Sequence, residues 1–375
     1  MADRQFTVRE NVARASRPAY HFGSVVIFRQ LFDQASGTYT YLLADEALRE
    51  AVLIDTVFEQ HARDAALLRE LDLKLLYSLD THCHADHVTG AWLMRVALGS
   101  KVALSGEYGA RNVDLPLVHG DTVRFGAHTL EVRATPGHTA GCLSFVTANR
   151  KMAFTGDSLL VRGAGRTDFQ LGDARRLFRS IQEQLFTLPE ECHVFPGHDY
   201  EGRTSSTIEE ERRYNPRIGG GAREEDFVGY MKNLGLPHPK QLAIAVPANL
   251  RSGEPEDGRV PPSPDWGPVI TTYAGLPEIA PEWVASHRGA VNVLDVRSPA
   301  EFCGELGHLE GAQLIPIDDL RARVPEVRAD KPIVVVCQTG KRAGLGTVIL
   351  RKAGVASTAN IAGGMVRWRE LGLPS

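Results

Sequence analysis

Cysteine is scarce in this sequence: five in 375 residues, an odd number and scattered. A disulfide framework is thereby excluded, and a reducing compartment, the cytoplasm, is expected. Long apolar runs are also missing. None approaches the roughly 18 residues of a membrane span. The opening MADRQFTVREN is charged and has no apolar signal-peptide core. No charge of one sign dominates either, since 42 Lys and Arg face 46 Asp and Glu for a net charge of −4. General attraction to nucleic acid or to anionic lipid is not expected. What remains, 43% apolar and 23% charged residues, is the composition of a globular protein. The length suits two or three domains.

Proline clusters in one place. Residues 252–268 read SGEPEDGRVPPSPDWGP, with Pro255, Pro261, Pro262, Pro264 and Pro268. Proline fixes φ and removes donors, so an extended spacer is predicted there. It separates a block of residues 1–251 from a block of residues 269–375. The first block carries strand-like runs (VVIFRQLF, TYTYLLA, AVLID, LKLLYSLD, TLEVRAT, CLSFVT, KMAFTGD) and a helical pattern over 59–71. Many strands before two long helical stretches suggest layered α/β with packed sheets rather than a simple βαβ alternation. The second block alternates a helix over 283–287, the strands VNVLDV and PIVVVC, the helix RAGLGTVILRKAG and a closing IAGG turn. That is a small parallel α/β domain. No internal repeat is visible.

Histidines concentrate at strand ends. The strand LKLLYSL runs into Asp80-Thr81-His82-Cys83-His84-Ala85-Asp86-His87. Imidazoles this close repel one another when protonated, and a bound cation removes that cost by holding them neutral. Further candidates follow in order: His138 in TPGHT, Asp157 in FTGD and His198 in FPGHD. Cys83, between two of the histidines, alternates away from them in an extended loop and is read as a packing residue.

This order of motifs resembles the metallo-β-lactamase superfamily over about residues 20–215, which implies an αββα sandwich with metal at one edge. In the wider family two metals can be held. On that pattern His82, His84 and His138 would serve one, and Asp86, His87 and His198 the other, with Asp157 bridging. The wording THCHADHVTGA, TPGHTAGCLSF, FTGDSLLVRGAGRTDFQ and PGHDYEGRTSSTIEEERRYNPR is closer to the persulfide dioxygenases, the family of the ethylmalonic encephalopathy protein. That resemblance implies one Fe(II) per chain on His82, His138 and Asp157. Two imidazoles and a carboxylate on one face leave positions open for a thiol substrate and O2, as in non-haem iron oxygenases. His84, Asp86, His87 and His198 would then orient ligands or relay protons. The same resemblance places glutathione on Arg166, whose planar fork suits a carboxylate, on Tyr200, and more weakly on Thr139.

In the second block the strand PIVVV ends at Cys337, before Gln338-Thr339-Gly340-Lys341-Arg342 and a helix. A thiol at a helix N-terminus beside two cations is favoured as a reactive thiolate. With LDVR at 294–297 and GHLEGA at 307–312, the block resembles a rhodanese domain. That implies a persulfide on Cys337, with Lys341 holding an anionic donor and Arg342 adding positive charge beside the thiol. Cys337 to Arg342 is C-x4-R, one residue shorter than the loop of cysteine phosphatases, and suits sulfur better than a phosphoryl group. Cys303 receives no role.

The expected protein is therefore a metallo-β-lactamase αββα sandwich followed by a small parallel α/β rhodanese domain. The first would oxidise glutathione persulfide with O2 and water to glutathione and sulfite, and the second would move sulfane sulfur between thiosulfate and glutathione. The alternative is a glyoxalase II-like thioester hydrolase with a dinuclear site and a rhodanese adaptor. Assembly into a homo-oligomer is left open.

Overall fold

The computed structural model describes residues 25–260 and 264–374. The charged opening segment and part of the proline cluster lie outside the described residues. Strands β1 (Val26–Asp33), β2 (Thr38–Asp45), β3 (Glu50–Ile54), β4 (Lys74–Leu79), β5 (Lys101–Ser105) and β6 (Leu115–Leu117) form one sheet in that order. β1 to β3 pair antiparallel and β3 to β6 parallel. In the second sheet are β7 (Thr122–Phe125), β8 (His128–Ala134), β9 (Leu143–Thr147) and β10 (Met152–Gly156). After a separate short hairpin of β11 (Leu159–Leu160) and β12 (Gly163–Ala164), the sheet is completed by β13 (His193–Pro196) and β14 (Ser206–Thr207). The order is β14-β13-β10-β9-β8-β7, and β10 and β13 are parallel neighbours.

Side-chain alternation along each strand builds the layers. Tyr41, Leu43, Val52 and Ile54 point inward and pack on Phe125, Val132, Phe145 and Phe154 of the second sheet. Their neighbours Leu42, Ala44, Ala51 and Leu53 point outward, onto Leu67, Leu68 and Met94 of helices His61–Glu70 and Ala91–Leu98. On the far side Val146, Ala153 and Val194 meet Leu177, Phe227 and Met231 of helices Ala174–Ser180 and Glu224–Lys232. Helix, sheet, sheet, helix is the expected αββα order.

The C-terminal body is a sheet of β15 (Ile270–Thr271), β16 (Pro277–Ile279), β17 (Asn292–Asp295), β18 (Gln313–Leu314), β19 (Ile333–Val336) and β20 (Thr358–Ile361), in the order β15-β16-β20-β19-β17-β18. Only the β15–β16 pair is antiparallel. The central strand is apolar throughout because both faces are covered: Val334 and Val336 pack towards Trp368, Ile333 and Val335 towards Leu350. The two bodies touch where Arg69 Nη2 donates to the Thr271 carbonyl at 2.9 Å and the Tyr273 N–H donates to Glu70 Oε1 at 2.7 Å. Among the described residues no helix is long and apolar enough to cross a membrane.

The spacer is shorter than its composition suggests. Ser252 and Gly253 are buried on the first body: Ser252 Oγ donates to the Arg111 carbonyl at 2.7 Å, and its own carbonyl accepts from Trp92 N–H at 3.1 Å. At the other end Trp266 and Val269 pack into the core of the second body. Gly253 has φ +81°, and a Cβ there would lie 2.1 Å from the Thr89 carbonyl oxygen. Gly258 shares the left-handed backbone but has open space around it. We expect Gly253→Ala to destabilise the first body by about 1–3 kcal/mol and Gly258→Ala to do distinctly less. Thermal unfolding midpoints of the two variants measure the difference.

Candidate metal centre

β3, β4, β10 and β13 end at one edge of the sandwich, and Asp55, the 80–87 loop, Asp157 and His198 follow them directly. His138 arrives from the turn after β8. Ligand atoms of His82, His138 and Asp157 lie within 4.8 Å of one another, and so do those of His84, Asp86, His87 and His198. Asp157 Oδ2 is 3.7 Å from His138 Nε2, and the His82 and His138 rings are nearly perpendicular at 5.0 Å.

Hydrogen bonds decide which nitrogens carry protons. His138 Nδ1 lies 2.7 Å from the Arg166 carbonyl, which can only accept, so Nδ1 is the donor and Nε2 keeps its lone pair. Thr81 Oγ1 donates to Asp55 Oδ2 at 2.9 Å, so its lone pair accepts from His82 Nδ1 at 3.0 Å, and His82 Nε2 is likewise free. His84 Nε2 is turned to Asp55 Oδ1 at 3.2 Å. His198 sits between carboxylates, with Nδ1 2.6 Å from Asp157 Oδ1 and Nε2 2.9 Å from Asp86 Oδ2.

Electrostatics follows the same division. Burial, with His84 adding to it, takes His82 well below the ordinary histidine range. Burial also lowers His138, and Asp157 only partly offsets it. For His84 the Asp55 carboxylate outweighs burial and lifts the ring to about 9. For His198, Asp157 and Asp86 outweigh burial and hold it well above the ordinary range. Asp157, although buried, is kept below the usual carboxylate range by His198 and then His138 and His82. Neutral His82 and His138 with ionised Asp157 are competent metal donors; ligands must be deprotonated.

Several supports carry no local sequence signal. Asp55 holds Thr81 through its N–H (2.7 Å) as well as its hydroxyl. Asn249, buried in helix Leu242–Asn249, donates to the His84 and His87 carbonyls at 2.9 Å and accepts from Thr89 N–H at 2.8 Å. Gln170 donates to the Cys83 carbonyl at 2.9 Å. Cys83 itself is buried, which pushes its thiol up to about 12, in keeping with a packing role.

A cavity of about 740 Å³ opens over His82, His138 and Asp157 and is walled by Arg166, Phe169, Tyr200, Arg217 and Lys240. Tyr200 faces it and stacks on His198. Arg166 is differently engaged from the expected carboxylate clamp. Its Nε and Nη2 both reach Asp168 at 2.7 Å, and Nη1 and Nη2 donate to the Pro237 and Leu236 carbonyls at 2.5 and 2.9 Å. The fork is thus satisfied from within and ties down the cavity wall at 236–241. Thr139 is buried behind His138 rather than in the wall, with its hydroxyl bonded to Tyr108 and Cys142.

In the second body Cys337 follows β19 and is buried, and its Sγ accepts from Gly340 N–H at 3.1 Å. Gly340, at φ +90°, caps helix Lys341–Lys352 and turns that N–H back onto the sulfur. Lys341 is exposed beside the loop. Arg342, expected to add positive charge beside the thiol, is paired through both terminal nitrogens with Glu301 at 2.8 and 2.5 Å. Arg342 in turn holds Glu301 down at about 2. Cys303 is exposed.

Lysine cannot reproduce the Arg166 fork. Arg166→Lys should therefore loosen the 236–241 wall. Amide exchange over those residues should rise about tenfold or more, the equivalent of one charge-assisted hydrogen bond of about 1.5 kcal/mol, with the rest of the first body unchanged.

Comparison with known proteins agrees with this geometry. Residues 34–198 match the metallo-beta-lactamase superfamily model and residues 280–371 the rhodanese-like domain model. The mitochondrial persulfide dioxygenases ETHE1 of mouse and human are each 52% identical over 231 residues, 62% of this chain and 90% of theirs. The crystal structure of ETHE1 from Myxococcus xanthus is 50% identical, with a TM-score of 0.58, covering 60% of this chain and 99% of that one. A hydroxyacylglutathione hydrolase of Cereibacter sphaeroides is 35% identical over 231 residues, 58% of this chain and 85% of its own. With a metal-competent edge on the αββα sandwich and about half of the 231 matched residues identical in those dioxygenases, the chain belongs to the persulfide dioxygenase family of the metallo-β-lactamase superfamily and carries a C-terminal rhodanese domain.

Proposed function

We propose that the first body, residues 1–251 extended through Gly253, is a mononuclear Fe(II) dioxygenase acting on glutathione persulfide, and that residues 269–375 are a thiosulfate:glutathione sulfurtransferase. The observation that carries the first part is the pair of fixed tautomers: His82 and His138 both present Nε2 lone pairs beside Asp157. A two-imidazole, one-carboxylate face suits Fe(II), whose redox change is what O2 chemistry requires and zinc lacks. Glutathione persulfide, O2 and water then give glutathione, sulfite and two protons. Around the metal face, Asp55 holds His84, while Asp86 and His198 hold Asp157. The cavity offers Tyr200, Arg217 and Lys240 to the glutathione moiety, within the size range of small-molecule sites. Arg166 serves by fixing the wall that carries Lys240, and Thr139 by supporting the loop of His138.

For the second body, the Cys337 thiolate takes the outer sulfur of thiosulfate and releases sulfite. Glutathione thiolate then takes that sulfur from the Cys337 persulfide, returning the thiolate and yielding glutathione persulfide. Sulfite and glutathione persulfide thus link the two bodies. All five thiols are free, which suits the reducing cytoplasm.

A second reading rests on one observation. Buried His84 Nδ1 and His87 Nε2 have no hydrogen-bond partner among the described residues, and with Asp86 and His198 they could hold a second cation, as in a dinuclear thioester hydrolase. Against it stands His198, whose two nitrogens are both taken by carboxylates.

We expect metal analysis to give one iron per chain, and Asp157→Ala to lose both the iron and oxygen consumption with glutathione persulfide. Two ions per chain, with zinc restoring full turnover of a glutathione thioester and no oxygen uptake, would establish the hydrolase instead. In Cys337→Ser, thiosulfate:glutathione transfer should vanish while oxygen consumption from supplied glutathione persulfide persists. With thiosulfate and glutathione as the only sulfur sources, wild type should consume oxygen and Cys337→Ser should not.

A further inference from the structure

The turn between β1 and β2 was given no role by sequence, yet it reaches the centre. Tyr39 N–H donates to the Gly197 carbonyl at 2.9 Å and Asp199 N–H to the Gly37 carbonyl at 3.2 Å, so the start of β2 is bridged to the His198 loop. Gly37, at φ +77°, permits the approach: a Cβ there would lie 2.7 Å from the Tyr200 ring. The next residue, Thr38, is fully buried. Its Oγ1 lies 3.0 Å from His198 Nε2, 3.1 Å from Asp86 Oδ2 and 3.2 Å from His87 Nδ1. On the other side Ser36 Oγ is 2.8 Å from Thr38 Oγ1 and donates to Asp33 Oδ2 at 2.7 Å.

A hydroxyl has one proton and two lone pairs. Asp86 can only accept, so it takes the Thr38 proton, and the His198 Nε2–H is shared between Asp86 and Thr38. Thr38 therefore fixes both the carboxylate and the ring plane of His198. The far side of that ring holds Asp157 Oδ1 at 2.6 Å, which leaves Oδ2 turned towards His138. We infer that Thr38 is a positioning residue for the metal face, acting through Asp86 and His198 on the orientation of the Asp157 carboxylate. This rests on the reading of Asp157 as a metal ligand. Valine matches threonine in shape but lacks the hydroxyl, so the loss would be one of orientation rather than of volume.

The test uses the full chain and Co(II), titrated anaerobically against a competing chelator and followed by its visible ligand-field bands. Groups that orient ligands typically change metal affinity about 10- to 100-fold. We expect Thr38→Val to weaken Co(II) within that range and alter the bands, and Thr38→Ser to restore both to within about threefold of wild type. With iron, Thr38→Val should lower kcat more than it raises KM for glutathione persulfide. Should Thr38→Val fail to fold, Asp86→Asn interrupts the same link without changing shape and should show the same weakening. Wild-type Co(II) affinity and bands in folded Thr38→Val, or in Asp86→Asn, would overturn the inference. Wild-type protein that binds no Co(II), or binds it equally well as Asp157→Ala, would instead overturn the reading of Asp157 itself.

Discussion

Burial of many charges at one edge of a sandwich is the constraint on which the rest of this structure depends. Four carboxylates (Asp55, Asp80, Asp86, Asp157) meet five imidazoles in a space with little access to water. Isolated charges there would cost several kcal/mol each. The structure meets that cost by pairing: Asp55 with His84, and Asp86 and Asp157 with His198. Pairing also creates difference. Two histidines are held as cations and two are left neutral, so residues alike in sequence acquire unlike roles. Asp80 shows the opposite outcome. Buried beside Asp55, with the Thr89 hydroxyl as its donor at 3.0 Å, it is pushed up to about 7.

Such a cluster needs a rigid frame, and the frame is drawn from the whole first body. Asn249 reaches back to clamp the 80–87 loop, Gln170 holds its middle and Thr38 closes it from the opposite side. The chain after helix Leu242–Asn249 continues the clamp through Ser252 and Gly253 before it is released. What composition reads as the start of a tether is therefore packed on the first body, against Arg111, Trp92 and Thr89. A similar economy holds at Arg166 and Arg342, each neutralised by a carboxylate close by. Both arginines shape a wall or a loop, and Lys240 and Arg217 line the same cavity as Arg166.

The two bodies suit one another chemically. The sulfurtransferase reading yields the persulfide that the dioxygenase reading consumes, and sulfite is common to both. Their direct contact, Arg69 and Glu70 against the β15 edge, is polar and narrow. It ties the helix behind the first sheet to the outermost strand of the second body.

Much of this was legible in the sequence. Period-two alternation and strand-end motifs marked packed sheets, the parallel second body, the cluster of histidines and aspartates at the strand ends, and Cys337 at its loop, because strand pattern and motif spacing are local properties; the αββα order came from the family resemblance. Arg166, Arg342 and Thr139 were legible as residue types but not as partners, since which carboxylate or hydroxyl meets each one depends on chain folded from elsewhere. Thr38, Asp55 and Asn249 were invisible for the same reason: a threonine at a strand start, an aspartate at a strand end and an asparagine in an apolar helix are common. Local sequence thus determined the packed sheets and the strand-end cluster of histidines and aspartates. Tertiary structure alone decided which imidazoles stay neutral, because that depends on which carboxylates distant strands bring within hydrogen-bond reach.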